Sequence, residues 1–163
     1  MKDIEIDFGQ ITADNIAQLK IINSSSLPVT YPDQFYKSVV SSKNETLNKY
    51  AYHNGFVIGA ICCKHPDNDT SKLYIMTLGV LPCYRCKNVG TKLVQSVLDA
   101  VSEQKEKNEG SEKDVNEISL HVQVNNEDAI RFYERLGFVK GEKVENYYKR
   151  LDPPDCFILT KTF

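Results

Sequence analysis

The sequence lacks any apolar run long enough to cross a membrane, and its opening residues predict no secretory leader. A spanning helix needs about 20 mostly apolar residues, and no stretch of this 163-residue chain approaches that length. The opening Met1-Lys-Asp-Ile-Glu-Ile alternates as a strand does and has no apolar signal-peptide core. We therefore expect no membrane partner and a cytoplasmic protein, with a nuclear presence left open.

An excess of either charge is also missing. Twenty Lys and Arg face 22 Asp and Glu, for a net charge of −2, whereas nucleic-acid binding normally calls for a basic excess. The hydrophobic content of 41% and the charged content of 26% are those of a soluble globular protein. No internal repeat is evident, so we predict a single domain over residues 1–163 and no nucleic-acid partner.

Support for a disulfide or a metal site is weak. Five cysteines, an odd number in a chain without a secretory signal, are typical of reduced thiols. Cys83-x-x-Cys86 would need two further zinc ligands, for which the candidates are Cys62, Cys63 and His65. Their spacing is wrong for a zinc knuckle, and Cys62-Cys63 ends a hydrophobic run where cysteine is a common core residue. We predict no metal.

What the sequence does contain is an apolar strand that feeds a helix through a turn. The strand opens at Leu73, the chain turns at Pro82, and Gly90 lies where the helix starts. Backbone N–H groups are free at a helix start, where the dipole is positive. The pattern predicts an anion-binding turn, although many α/β proteins contain such a connection without a ligand. The helix is indicated by apolar residues at three-and-four spacing, Leu93, Val94, Val97, Leu98 and Val101.

The remaining chain alternates short strands with helices. Asn54-Gly55 predicts a hairpin turn, Asn125 or Asn126 caps a helix that Gly137 ends, and Ser102–Glu117 is predicted to be a solvated loop. The crossover after the central helix makes one strand pair parallel. Strands are predicted near 4–8, 47–52, 56–63, 73–80, 118–124, 138–148 and 157–162, with helices near 12–24, 32–40, 91–104 and 126–136.

Several segments together carry a resemblance to a known family. Arg85-Cys-Lys-Asn-Val-Gly90 resembles the acyl-CoA loop Arg/Gln-x-x-Gly-x-Gly/Ala of the GCN5-related N-acetyltransferases. The whole set, spread over nearly the entire chain, is similar to the San-type N-terminal acetyltransferases, the catalytic subunit of the NatE activity. The resemblance implies an α/β (α+β) fold with a mixed, mostly antiparallel sheet of about seven strands, splayed in the middle and flanked by about four helices. The other segments are Leu27-Pro28-Val29-x-Tyr31, Leu73-Tyr74-Ile75-Met76-Thr77-Leu78-Gly79, Leu120-His121-Val122-Gln123 and Asn146-Tyr147-Tyr148-Lys149-Arg150.

The resemblance also implies how acetyl-CoA is held. Pantetheine would bond to the backbone of one strand as an added strand does, and the pyrophosphate would meet N–H groups of the loop. Asn88 stands where the family has the first glycine, and asparagine tolerates a left-handed backbone, so we expect retained but altered affinity. Tyr133 would lie near the departing sulfur, although a core role is equally open. The implied cofactor residues are Leu78, Gly79, Val80, Arg85, Cys86, Lys87, Asn88, Val89, Gly90, Thr91, Asn126 and Tyr133.

Tyr74 and His121 are the candidate catalytic residues that the resemblance implies. On neighbouring strands their side chains can face the same side of the sheet. An α-amine has an ordinary pKa of about 7.7–8.0, so a histidine with a pKa near 6.5 can take up its proton. The alternative interpretation is a tyrosine and a histidine that only fill the core.

The resemblance assigns a substrate-binding role to a proline-stiffened loop and to two tyrosines. An apolar wall would accept a first residue such as methionine, and the tyrosines would cover an extended peptide N-terminus. Leu27 replaces the usual phenylalanine, which leaves the preferred second residue open. The implied substrate residues are Leu27, Pro28, Val29, Tyr31, Met76, Tyr147 and Tyr148.

The leading hypothesis is an acetyl-CoA-dependent transferase that acetylates the α-amine of Met-starting polypeptides by direct attack in a ternary complex. One alternative is a lysine or small-amine acetyltransferase on the same fold. Another is a catalytically weak acetyl-CoA-binding subunit that docks onto the auxiliary and catalytic subunits of a ribosome-associated N-acetyltransferase complex.

Overall fold

The computed structural model describes residues 3–42, 46–108 and 114–163. Within these ranges seven strands form one mixed sheet in the order β1-β2-β3-β4-β5-β7-β6, and four α-helices accompany it, which confirms the predicted fold class. The elements are β1 Asp7–Gln10, α1 Ile16–Ser26, α2 Asp33–Ser41, β2 Lys49–His53, β3 Phe56–Lys64, β4 Lys72–Val80, α3 Val89–Lys107, β5 Glu117–Gln123, α4 Glu127–Arg135, β6 Val139–Val144 and β7 Cys156–Thr162.

The chain divides into two compact units. The first unit comprises Met1–Cys63 and Met76–Glu103, and the second comprises Lys64–Ile75 and Gln104–Phe163. In the described part of the chain no helix is both long and apolar enough to span a membrane.

The first unit packs α1 and α2 against antiparallel strands. β2 pairs with β1 on one side and with β3 on the other. The β2–β3 turn has positive φ at Asn54 and Gly55, 50° and 81°, as a two-residue hairpin requires. Each fully buried aliphatic side chain contributes about 1.5–3 kcal/mol by leaving water. The core cluster is Leu19, Ile22, Tyr36, Val39, Tyr50, Ala60 and Cys62.

Several boundaries differ from prediction in this region. α1 begins at Ile16 rather than near residue 12, because the Thr12 N–H donates to Asn15 Oδ1 at 2.8 Å in a turn that precedes the helix. β1 begins at Asp7 rather than near residue 4, because the carbonyls of Ile4 and Glu5 accept hydrogen bonds from side chains, Lys92 Nζ and His53 Nδ1. The prediction of a solvated loop from residue 102 is wrong at its start, since α3 continues to Lys107, where basic residues in the last turn favour the helix. Positions 109–113 of that predicted loop lie outside the described residues.

The second unit contains one parallel strand pair and two antiparallel pairs. β4 and β5 are parallel where Lys72–Tyr74 meets Glu117–Ser119, with Tyr74 opposite Ser119. β7 pairs with β5 over seven positions and with β6 on its other side. Asn126 Oδ1 accepts the Ala129 N–H at 3.2 Å and Gly137 has φ 91°, so the predicted start and stop of α4 are confirmed.

The predicted strand 138–148 is too long, because β6 ends at Val144. Asn146 adopts a left-handed φ of 54°, which a strand cannot contain. Its N–H donates to Asp155 Oδ1 at 2.8 Å, and the Tyr148 N–H donates to the Pro154 carbonyl at 2.8 Å. The segment 145–155 therefore forms a loop, here called the tyrosine loop, which carries Tyr147 and Tyr148.

Candidate active site

Strand alternation places Tyr74 and His121 side by side. Along β4 and β5 every second residue is buried, and both of these side chains belong to the other, half-buried set. Tyr74 Oη lies 2.6 Å from His121 Nδ1, and the ring centroids are 5.4 Å apart. The prediction that the two side chains share one side of the sheet is confirmed, and their catalytic role remains a prediction.

The Tyr74–His121 pair can move a proton in either tautomer of the imidazole. Burial lowers the pKa of His121 below its ordinary 6.5, so the ring is neutral at pH 7. If the phenol donates to Nδ1, the Tyr74 oxygen can accept a proton from a substrate while the phenol proton passes to His121 Nδ1. If Nδ1–H donates to the phenol oxygen, the unprotonated Nε2 of His121 is the atom that can accept a substrate proton. Both arrangements provide a general base near neutral pH.

The tyrosine loop adds a third aromatic ring to this pair. Tyr147 stacks on His121 with a centroid separation of 4.1 Å and an interplanar angle of 5°. Its hydroxyl is 3.5 Å from the Tyr74 hydroxyl, and Tyr148 meets the Tyr147 ring edge-on at 4.9 Å. We refer to Tyr74, His121 and Tyr147 as the aromatic triad.

The loop before α3 is shaped by two left-handed residues. Asn88 has φ 61°, which confirms the expectation that asparagine here keeps the turn of the family's glycine. Cys86 has φ 59°, which the sequence did not indicate because cysteine seldom adopts this conformation. α3 begins at Val89, and the first N–H groups of a helix have no partner inside it. The loop is therefore compatible with a diphosphate.

Side chains of this loop bind the protein itself. Arg85 Nε donates to the Val80 carbonyl at 3.1 Å, and its Nη2 is 3.5 Å from the Ser26 carbonyl. Asn88 Nδ2 donates to Asp3 Oδ1, whose other oxygen lies 4.0 Å from Lys92 Nζ. The amide nitrogen of Asn88 is therefore engaged by Asp3.

The end of β4 packs tightly against α1. A Cβ on Gly79 would lie 3.0 Å from Ile22 Cγ2 and 3.3 Å from Ser26 Cβ, so a larger residue here would crowd α1. Ser26 Oγ donates to the Val80 carbonyl at 3.2 Å. Together with Arg85, this bond uses both lone pairs of that carbonyl, so Val80 can offer a cofactor only its N–H.

The predicted apolar wall follows α1 directly. Leu27 is extended, with φ −119° and ψ 142°, because the following Pro28 excludes the helical conformation. The Tyr31 ring packs against the Phe35 ring at an interplanar angle of 37°, with centroids 4.7 Å apart. Tyr31 and Met76 both pack against the core cluster of the first unit, and along the wall Leu27 and Val29 are half-buried while Pro28 is exposed.

Two predicted cofactor residues of the second unit have structural partners. Asn126 is exposed and caps α4 through its side-chain oxygen, which leaves its amide nitrogen as the group for a ligand. Tyr133 is 6% exposed and lies between Phe132 and Phe138, with centroids at 4.9 and 5.4 Å. This packing favours the core role that the sequence left open, and a role beside the departing sulfur remains a prediction.

The sequence did not indicate that Asp155 holds the tyrosine loop. Asp155 holds the tyrosine loop by accepting the Asn146 N–H, and its second carboxylate oxygen is 3.4 Å from Lys143 Nζ. Its carbonyl also accepts the Val124 N–H at 3.0 Å. The only sequence signal was its place after Pro153-Pro154, where an aspartate commonly stabilises a turn.

No metal site is formed by the residues described, because no three His, Cys, Asp or Glu side chains cluster suitably within 3–42, 46–108 and 114–163. The five cysteines are free thiols; Cys62, Cys63 and Cys156 are buried, whereas Cys83 and Cys86 are exposed. Burial raises the pKa of Cys62 to about 12, so this thiol stays protonated and packs as a small apolar group.

Comparison with known proteins agrees with these features. The family model described as "Acetyltransferase (GNAT) family" matches residues 16–138. N-alpha-acetyltransferase 50 of Danio rerio is 43% identical over 96% of this chain and 88% of its own length. Probable N-acetyltransferase san of Drosophila melanogaster is 41% identical over 96% of this chain and 80% of its own length.

A solved structure extends the comparison to three dimensions. Arabidopsis thaliana Naa50 in complex with the bisubstrate analogue CoA-Ac-MVNAL has a TM-score of 0.85 and 37% identity, covering 98% of this chain and all of that one. The family match covers well over half of the sequence, and it agrees with the sheet order, the loop before α3 and the resemblance seen in the sequence. The chain belongs to the acetyltransferase (GNAT) family.

Proposed function

We propose that this protein transfers an acetyl group from acetyl-CoA to the α-amine of polypeptides that begin with methionine. The observation that carries the proposal is the 2.6 Å contact between Tyr74 Oη and His121 Nδ1. A base of this kind suits an α-amine, whose ordinary pKa of about 7.7–8.0 leaves only a modest proton-transfer task near neutral pH.

The first unit supplies the groups for the cofactor. The N–H groups at the start of α3 and the left-handed loop before it suit a diphosphate, and hydrogen bonds to a charged acceptor contribute roughly 1.5–3 kcal/mol each. The strand residues Leu78, Gly79 and Val80 would hold the pantetheine arm through their N–H and remaining C=O groups. Acetyl-CoA supplies the activated acetyl group as a thioester, and the Leu78 N–H is the natural donor to a developing oxyanion.

The groups proposed for the amine are Tyr74, His121 and the tyrosine loop. The Tyr74–His121 pair accepts the amine proton, directly or through one water. The tyrosine loop already covers His121 through Tyr147, an arrangement that suits an extended peptide terminus better than a lysine on a folded surface. The apolar residues after α1 suit methionine, and the relative bound to CoA-Ac-MVNAL carries an acetylated Met-first peptide in its analogue.

The test compares two acceptors under the same conditions. Labelled acetyl-CoA is offered with the free peptide Met-Val-Asn-Ala-Leu or with the same sequence N-terminally blocked and carrying an internal lysine. Acetylation of the free peptide at a much higher kcat/KM is expected. Preference for the blocked lysine peptide would replace the proposal with lysine acetylation on the same fold.

A second candidate, an acetyl-CoA-binding subunit of low activity, is favoured by one observation. The Asp3 carboxylate, held by Asn88, places negative charge near the start of α3, where it opposes binding of a diphosphate. Such a subunit would act by docking onto auxiliary and catalytic subunits of a ribosome-associated complex. Acetyl-CoA binding by calorimetry, without turnover on a library of N-terminal peptides, would support this candidate over the first.

A further inference from the structure

We infer that Tyr147 is a positioning residue that acts through His121: its ring holds the imidazole in one orientation and shields one face of it from water. The inference rests on the proposed function, because it assigns a role within the same proton-transfer site. It gives Tyr147 a second task beside the peptide contact that the family resemblance implies.

The contact between the two rings is extensive and specific. The planes are parallel within 5° at a centroid distance of 4.1 Å, so one whole face of the imidazole is covered. The hydrogen bond between Tyr74 Oη and Nδ1, 2.6 Å long, restrains rotation of the imidazole. The stacking and the hydrogen bond contact the imidazole at different atoms and together hold it in one orientation.

The Tyr147 ring is held in place from outside the triad. Its backbone neighbour Asn146 has a left-handed φ of 54°, and the Asn146 N–H is held by Asp155 Oδ1 at 2.8 Å. On the other side, the Tyr148 N–H donates to Pro154. The base of the loop is tied to the end of β5 through the Asp155 carbonyl and the Val124 N–H at 3.0 Å. These bonds hold the Tyr147 ring in place relative to β5, the strand that carries His121.

The surroundings of His121 make desolvation the dominant influence on its proton affinity. β4 contributes Tyr74 at Nδ1, β7 places Ile158 opposite His121, and the tyrosine loop contributes Tyr147. Lys64 is a cation near Tyr74, and its Nζ lies 5.9 Å from the centroid of the Tyr74 ring. At the base of the loop, Asp155 and Lys143 form an ion pair, so their opposite charges largely cancel.

The sign of the expected pH effect follows from burial. Burial lowers the pKa of His121, because a low-dielectric environment disfavours the charged imidazolium. Removing the Tyr147 ring lets water reach the exposed face, so the pKa of His121 should rise toward its ordinary value. In the pH profile of kcat, the rise on the acid side should then move to higher pH. The variant should therefore lose more activity at pH 6 than at pH 8.

The experiment compares Tyr147→Leu with Tyr147→Phe. Leucine removes the stacking ring, whereas phenylalanine keeps the ring and loses only the hydroxyl that lies 3.5 Å from Tyr74 Oη. The pKa of His121 is measured by proton NMR titration of the free protein. With three histidines in the chain, its signal is assigned by its absence from the spectrum of His121→Gln.

Tyr147→Leu is expected to raise the pKa of His121 and to lower kcat about tenfold at pH 7, with the larger loss at pH 6. Tyr147→Phe is expected to leave the pKa of His121 unchanged. An unchanged His121 titration in Tyr147→Leu would overturn the inference; if KM alone then changed, Tyr147 would be a peptide contact only.

A second variant tests the support of the ring without altering the ring itself. Asp155→Ala removes the acceptor for the Asn146 N–H, whereas Asp155→Asn keeps an acceptor oxygen at the same place. The alanine variant should shift the His121 titration in the same direction as Tyr147→Leu, and the asparagine variant should shift it less. Equal titrations in all variants would contradict the inference.

The failure of the proposed function would look different. The NMR titration needs neither cofactor nor peptide, so it can succeed in a protein that acetylates no tested amine. Absence of acetyl transfer would show that the triad has no catalytic role, whereas the titration alone decides whether Tyr147 affects the pKa of His121.

Discussion

The aromatic triad and the loop before α3 are built in opposite ways. The triad depends on side-chain contacts between named atoms, from Tyr74 Oη to His121 Nδ1 and from the His121 ring to the Tyr147 ring. The loop depends on its backbone, since it offers N–H groups at the start of α3 and left-handed turns at Cys86 and Asn88. The side chains of Arg85 and Asn88 bind the protein itself.

This difference predicts different responses to mutation. A site made of side-chain atoms should lose function when one side chain is changed, even to a residue that folds equally well. A site made of backbone groups should tolerate side-chain changes and respond mainly to substitutions that alter the course of the backbone. Substitutions in both regions can test this contrast, with effects that range from large to small.

The largest effect is expected for His121→Ala. Loss of a general base typically lowers the rate by about 10²–10⁴-fold, and the substitution leaves the loop before α3 unchanged. We therefore expect kcat to fall by at least about a hundredfold, while the acetyl-CoA Kd changes little. Steady-state kinetics and calorimetry measure the two quantities.

A matched control is available in the same chain. His53 lies at the β2–β3 hairpin, where its Nδ1 bonds to the Glu5 carbonyl, outside the triad. His53→Ala should keep kcat within about twofold. If His121→Ala also kept near-normal kcat, His121 would have no place in the mechanism and the contrast between the two regions would fail.

A medium effect is expected for Gly79→Ala. The added Cβ would lie 3.0 Å from Ile22 Cγ2 and 3.3 Å from Ser26 Cβ, and overpacking of this kind costs about 1–3 kcal/mol. Because the crowding displaces the strand end that would hold pantetheine, we expect a lower melting temperature and weaker acetyl-CoA binding. Thermal unfolding with and without acetyl-CoA measures both.

Gly55→Ala provides the comparison for that variant. Gly55 has φ 81°, and a Cβ added there would meet no neighbouring side chain or backbone within 4 Å, so alanine strains the turn without crowding a neighbour. It should lower stability and leave the acetyl-CoA Kd unchanged. Equal Kd values for both alanine variants would show that the close approach at Gly79 has no bearing on the cofactor.

Elements with strong local signals were predictable from the sequence. Asn54-Gly55 predicted the hairpin, Asn126 and Gly137 predicted the ends of α4, and strand alternation predicted that Tyr74 and His121 face the same side. In each case the controlling interaction lies within a few residues or follows from the two-residue period of a strand.

The remaining features depend on contacts between distant positions. β1 starts late because His53 and Lys92 bind the carbonyls before it, a pairing that no local pattern contains. Cys86 is left-handed although its residue type does not favour that conformation. The tyrosine loop is held by the bond from the Asn146 N–H to Asp155, nine residues further along the chain, and the prediction of a strand to residue 148 did not include this turn.

The smallest effect is expected for Asn88→Gly. This substitution tests most directly whether the loop before α3 acts through its backbone groups. Glycine adopts the φ of 61° without strain, so the turn and its N–H groups should survive. The substitution also releases Asp3 from its bond to Nδ2. A carboxylate free to leave the start of α3 opposes a diphosphate less, so acetyl-CoA should bind a few-fold more tightly, an advantage that added salt reduces.

Two companion variants decide the cause of that change. Asp3→Ala removes the carboxylate and should tighten acetyl-CoA binding at least as much as Asn88→Gly, and the double variant should add little to either. Asn54→Gly changes another left-handed asparagine, with φ 50°, at a turn away from the loop, and should leave the Kd unchanged. An unchanged Kd in Asn88→Gly would mean that Asn88 serves the turn alone, and the loop would then be a site defined purely by its backbone.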